Sequence, residues 1–155
     1  SNPIDIVEQI AHNNGWACDR TADDEVTLIV AGSWTDYHLS LNWREDLEVL
    51  HLACAFDFKV PDNRLTEIYK LIAQINEQLW LGHFGLEGEE GVPVFRHSVL
   101  LRGAPGASVE SLEDMVDIAL AECERFFPAF QFVLWGGRSP SEALAAAMLD
   151  CVGEA

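Results

Sequence analysis

DYHLSLNWREDLEVLHLACAFDF, residues 36–58, decides the fold. Tyr37, Leu39, Leu41 and Trp43 alternate with Asp36, His38, Ser40 and Asn42, the period of two that marks a half-buried strand. After Arg44-Glu45-Asp46 a second strand starts on Leu47 and Val49, then changes phase so that Leu50, Leu52, Cys54, Phe56 and Phe58 share one side. A single extra residue near Val49 and Leu50 restores the register, which predicts a β-bulge there, with Leu39 opposite Leu52 and Tyr37 opposite Cys54. The apolar face is continuous across both strands. The other face is left for water or for another protein.

Working outward, Asn2 can cap a helix that Pro3 opens and Gly15 ends, with Ile6, Val7 and Ile10 on one apolar face. Residues 16–20 and 26–31 read as strands joined by a polar turn at 21–24. Downstream, Pro61 and Asp62 open a long helix on which Leu65, Ile68, Ile72, Ile75 and Leu79 recur at steps of three and four. Arg64, Glu67, Lys70, Gln74 and Gln78 are expected to face water, and Gly82 to stop the helix. Residues 83–86 and 92–101 form a hairpin, and Pro93 argues for an edge position at the start of its second strand. The loop 102–107, with Gly103, Pro105 and Gly106, leads to a helix capped by Ser108 on which Val109, Leu112, Val116, Ala119, Cys123 and Phe126 line one side. Pro128 is expected to kink or restart that helix before residues 130–135. Ser139-Pro140-Ser141-Glu142 then fits a capping box that starts a last helix through Met148. The reading is an α+β fold, an antiparallel sheet packed by helices in the order α-β-β-β-β-α-β-β-α-α, as one domain over residues 1–155.

Composition bounds the function. The chain is 49% hydrophobic yet carries 26 acidic residues against 9 basic ones, a formal net charge of −17, so a packed core sits inside an acidic shell. That field repels phosphate backbones and anionic lipid, which argues against nucleic acid and membrane as partners. No apolar run of membrane-spanning length and no signal-peptide pattern occurs, and the expected location is the cytoplasm. Cys18, Cys54, Cys123 and Cys151 never form a C-x-x-C pair; Cys54 and Cys123 fall in apolar phase and read as small buried hydrophobes.

Candidate chemistry is sparse. His38 and His51 belong to the same polar face of adjacent strands, with Asp36 and Asp57 beside them, and such a set could hold a divalent metal for an enzyme. No dense ligand motif supports it, so no metal, cofactor or catalytic residue is assigned. No strained glycine-serine turn presents a nucleophile either. A pocket between sheet and helices that senses a small ligand is the remaining chemical alternative. The surplus is aromatic: Trp34, Trp43, Trp80, Phe84, Phe130 and Trp135 fall near element ends and form the candidate protein interface, with Ala53 and Ala55 permitting close approach on the polar strand face.

Three stretches, residues 34–41 (WTDYHLSL), 76–84 (NEQLWLGHF) and 128–132 (PAFQF), resemble the YbjN family of bacterial sensory transduction regulators. The resemblance runs from about Ser33 to the C-terminus and implies a fold similar to that of type III secretion chaperones. It implies no catalytic or metal residue. Together with the residues it points to a non-enzymatic cytoplasmic regulator or chaperone-like adaptor that binds a protein partner and forms a homodimer through an apolar patch.

Overall fold

Asn2 sets the first helix, its side-chain oxygen accepting the Ile4 N–H at 2.9 Å with Pro3 following, and α1 spans Pro3–Asn14 until Gly15 closes it on the carbonyls of Ala11 and His12. The structure is a computed structural model that describes residues 2–103 and 106–153, without the side chains of residues 150–153. The loop residue Pro105 and the Cys151 side chain lie outside the described residues.

Six strands follow in one antiparallel sheet: β1 (Ala17–Ala22), β2 (Glu25–Ala31), β3 (Asp36–Arg44), β4 (Val49–Ala55), β5 (His83–Glu87) and β6 (Val92–Leu100), ordered β1-β2-β3-β4-β6-β5. Between β4 and β5 a 3-10 turn at Asp62–Arg64 leads into α2 (Leu65–Asn76). After β6 come α3 (Val109–Leu134) and α4 (Pro140–Gly153). The element order is the one read from the sequence, and the fold is α+β.

The helices cover one face of the sheet. Val26, Leu28 and Leu39, Leu41 and Leu50, Leu52, Cys54 and Phe95 point into a core shared with α1, α2 and α3, while α4 packs on α2 and α3. At the start of α3, Ser108 and Ser111 exchange side-chain and backbone bonds near 3 Å, and at the start of α4 Ser139 and Glu142 do the same. Bonds to Ser139 hold the Glu142 carboxyl below the ordinary glutamate range. Its share of α4 stability is therefore present at neutral pH and is lost as acid passes below that range.

Five details differ from the sequence reading. There is no β-bulge in β4: Leu39 faces Cys54, Leu41 faces Leu52 and Trp43 faces Leu50 in an unbroken register. The odd residue is absorbed in the turn, where Glu48 takes a positive φ of 52° and leaves Leu47 exposed, so one left-handed residue replaces a break in the ladder. Pro93 is not at an edge, because β6 lies between β4 and β5. Its carbonyl accepts from Phe56 N–H just past the last β4 pair, Ala55 with Val94, so its nitrogen faces the side where β4 has already ended. Pro128 does not interrupt α3, which runs on through it, held by the buried neighbours Phe126, Phe127, Ala129 and Phe130. Finally, α2 stops at Asn76 rather than at Gly82, since the Asn76 amide pairs with both the N–H and the carbonyl of Phe84 and draws the chain away. Arg64 also turns inward, donating to the Val133 carbonyl in the last turn of α3.

Candidate functional site: an exposed aromatic ridge

The turn between β2 and β3 is built to hold Trp34 outward. Gly32 N–H donates to Thr35 O at 2.8 Å, and the Glu124 carboxylate of α3 accepts from Ser33 N–H at 2.6 Å and from Tyr37 Oη at 3.1 Å. A Cβ at residue 32 would sit 2.3 Å from Tyr37 Cε2 and 2.7 Å from Glu124 Oε1, so only glycine permits this approach. Burial and then the Glu124 charge push the Tyr37 phenol up, which keeps it a protonated donor. Three residues along the same helix face, Phe127 offers its ring to Trp34, stacked at 6.0 Å.

From there the aromatic contacts run on. Phe127 meets Phe58 at 5.8 Å, and Phe58 meets Trp135 at 5.4 Å. Trp34 is 48% exposed and Trp135 64%, so both ends of the ridge face solvent while its middle is anchored on the core ring of Phe56. Tryptophan at the margin of a packed aromatic cluster is the composition of a protein-contact hot spot.

The other sequence candidates divide. Phe84 and Phe130 lie inside the core at 2% and 0% exposure and cannot touch a partner. Periodicity marks a residue as apolar without saying that a second helix will cover it. Trp43 is half-buried, opposite Leu50 and against a concavity of about 550 Å³ lined with Asp23, Asp24, Glu45 and Glu48. Trp80 is fully exposed. Phe127 and Phe58 are the ridge members absent from the candidate interface, although the place of Phe58 in the apolar phase after β4 carried a signal.

The open face of the sheet carries His38, Ser40, His51, Ala53 and Ala55, and all of these but His51 line a shallow concavity of about 380 Å³ together with Thr27 and Ile29. His38 stands opposite Ala55 and His51 opposite Asn42, four residues apart along β4 or roughly 13 Å, and they do not converge. His38 lies 3.6 Å from Asp57, and His51 Nδ1 lies 2.7 Å from Ser98 Oγ. Asp36 stands opposite Ala31, at the far end of β3 from Asn42. Among the described residues no three His, Cys, Asp or Glu side chains gather as a metal would need, and no helix is long and apolar enough to cross a membrane.

Burial, then the charges of Arg96 and His83, hold His51 below the ordinary histidine range; burial, then His83, does the same to His97. A depressed histidine binds its proton more weakly in the folded chain, so acidification favours the unfolded one. The stability loss begins near the unfolded pKa of about 6.5 and is complete below the folded values. Denaturant midpoints at about pH 7.5 and about pH 5.5 test this: replacing both residues by Gln is expected to flatten the fall. Relief of acidic self-repulsion is common to both proteins and cancels in the difference, and equal slopes would contradict the assignment.

The model of the YbjN family, described as "Putative bacterial sensory transduction regulator", matches residues 3–132, from α1 to near the end of α3. A crystal structure of YbjN from E. coli, described as "a putative transcription regulator", is similar at TM-score 0.57 and 11% identity over 78% of this chain and 85% of that one. The crystal structure of the ExsC–ExsE complex is similar at TM-score 0.58 and 19% identity over 79% and 88%. At those identities the likeness is one of fold. Among curated proteins nothing matches.

Proposed function

The chain belongs to the YbjN family, and from that premise we propose that it is a non-enzymatic cytoplasmic regulator or adaptor that acts by binding protein, itself a homodimer. The observation that carries the reading is the ridge Trp34–Phe127–Phe58–Trp135, aromatic surface held rigid by Glu124 and rooted in the core. Such anchors present large apolar area at little entropic cost. The acidic shell suits the same role, since it turns away polyanions and steers partners with basic flanks toward the ridge. A structural neighbour solved as a two-protein complex, ExsC with ExsE, supports partner binding on this fold.

The test compares what the wild-type protein and a Trp34→Ser/Trp135→Ser variant retain from an extract of the source cell, quantified by mass spectrometry. Both side chains are exposed, Trp34 at 48% and Trp135 at 64%, so the variant is expected to fold with a melting temperature within a few degrees of wild type. A protein held by the wild type and lost from the variant is the expected result. Identical retained sets would sink the ridge as the binding surface.

A further inference from the structure

A second apolar surface lies apart from the ridge. Between α2 and β5 the chain makes a loop over residues 77–82, fixed at one end by the bonds of Asn76 to Phe84 and at the other by Gly82, closely packed on Phe95. This fixed loop holds Trp80 in solvent at 98% exposure, with Leu81 beside it at 47%. Trp80 forms one rim of a groove of about 220 Å³ whose other walls are Leu81, Gln78 and, from α3, Ile118, Ala121, Glu122 and Arg125. The Arg125 guanidinium lies 4.8 Å from the Phe126 ring and is tied to Glu122 at 3.7 Å and to Met148 Sδ at 3.6 Å.

We propose that two copies of this chain pair about a two-fold axis through this surface, the Trp80 indole of each seated in the other's groove. The inference rests on the homodimer reading above and names its contact. Three observations select a second copy as the occupant. A projecting indole and a groove of the size of one tryptophan side chain stand side by side, and such a patch is complementary to itself under a two-fold axis. The charge at the patch balances, with one acid and one base among its walls, whereas the molecule carries −17 and two copies repel wherever the acidic shell meets itself. The incoming indole meets the Arg125 guanidinium, a cation already held in place for a cation–π contact. Each Trp80 supplies up to about 250 Å² of the about 800 Å² that a specific interface takes from one partner. Leu81, Gln78 and, from α3, Ile118, Ala121 and the Arg125 side chain are the further surface at the contact, with the exposed Asp114 and Asp117 one turn before Ile118 and Ala121 at its margin.

Sedimentation velocity over a micromolar range tests the contact. Wild type is expected to be a dimer. Trp80→Ser removes the projecting group and Ala121→Glu fills the groove; each is expected to raise the dimer dissociation constant at least about 100-fold, the scale of losing a central tryptophan from both halves of a symmetric contact. Both positions are exposed, so unchanged circular dichroism and melting temperature are expected. An equimolar mixture of the two variants restores one complete contact, an intact Trp80 from one and an open groove from the other. Association in the mixture above that of either variant alone is therefore expected. A wild-type dimer that both variants leave intact, or no recovery in the mixture, overturns the Trp80 contact while self-association stands. A wild type that stays monomeric at every concentration overturns both, and the Trp34→Ser/Trp135→Ser protein should dimerise like wild type.

Discussion

Phe56→Ala is expected to cost about 3–5 kcal/mol of folding stability, a large part of the about 5–15 kcal/mol that holds a domain of this kind together. Phe56 is the ring that joins the exposed ridge to the aromatic core. Its centroid lies 5.7 Å from Tyr37, 6.1 Å from Phe84, 5.2 Å from Phe127, 5.1 Å from Phe130 and 5.8 Å from Phe58, and it is 2% exposed. Removing it strips a contact from every one of those rings, and packing so dense relaxes only in part around the hole. Urea denaturation followed by circular dichroism reads the loss, and the melting temperature is expected to fall by about 10 °C. Phe56→Leu, which keeps most of the volume, should lose far less. A midpoint within error of wild type for the alanine variant would show that Phe56 is not the hub. The consequence reaches function, because Phe127 and Phe58 hold the exposed tryptophans in place through the same ring.

Gly82→Ala is expected to be the second most damaging change, by a different mechanism. Gly82 has φ 71°, where a side chain costs about 1–2 kcal/mol. An added Cβ would also stand 2.3 Å from Phe95 Cζ and 2.8 Å from the Arg96 carbonyl oxygen. The backbone of β6 cannot withdraw without breaking its pairs with β4 and β5, so overpacking adds about 1–3 kcal/mol. The sum, about 2–5 kcal/mol, is to be measured in the same denaturation assay. Gly103→Ala is the control: its φ is 99° and its Cβ would meet nothing within 4 Å, so only the backbone term remains. Equal losses for the two would remove the close approach to Phe95 from the explanation.

The periods of the sequence carried the secondary structure a long way, and the places where they misled share a cause. Alternation fixed which side of β3 and β4 is apolar. It could not say whether the odd residue sat in the strand or in the turn, because both choices keep the same residues inside; the turn won at the cost of one left-handed glutamate, Glu48. Local rules for Pro93 and Pro128 failed because tertiary structure removed the penalty that each rule describes. At Pro93 β4 has already ended on the side that its nitrogen faces, so no ladder bond is lost there, and at Pro128 buried side chains on both sides hold the helix.

The site was legible in part. Tryptophans near element ends drew attention to Trp34 and Trp135, yet the same signal also selected Phe84 and Phe130, which other elements bury. Which aromatic stays outside depends on what packs over it, information that lies elsewhere in the chain. The groove beside Trp80 was invisible for the same reason, since Ile118, Ala121 and Arg125 reach it from α3. His38 and His51 shared a face as expected, but sharing a face leaves distance along the strand free, and four residues separate them.

Calorimetric titration of the protein retained by the wild type tests most directly whether this molecule works by apolar contact. Wild type is expected to bind it with a negative heat-capacity change, the mark of buried apolar surface, and Trp34→Ser/Trp135→Ser is expected to bind at least about 100-fold more weakly. Equal affinities for the two proteins, or binding without a heat-capacity change, would contradict the account.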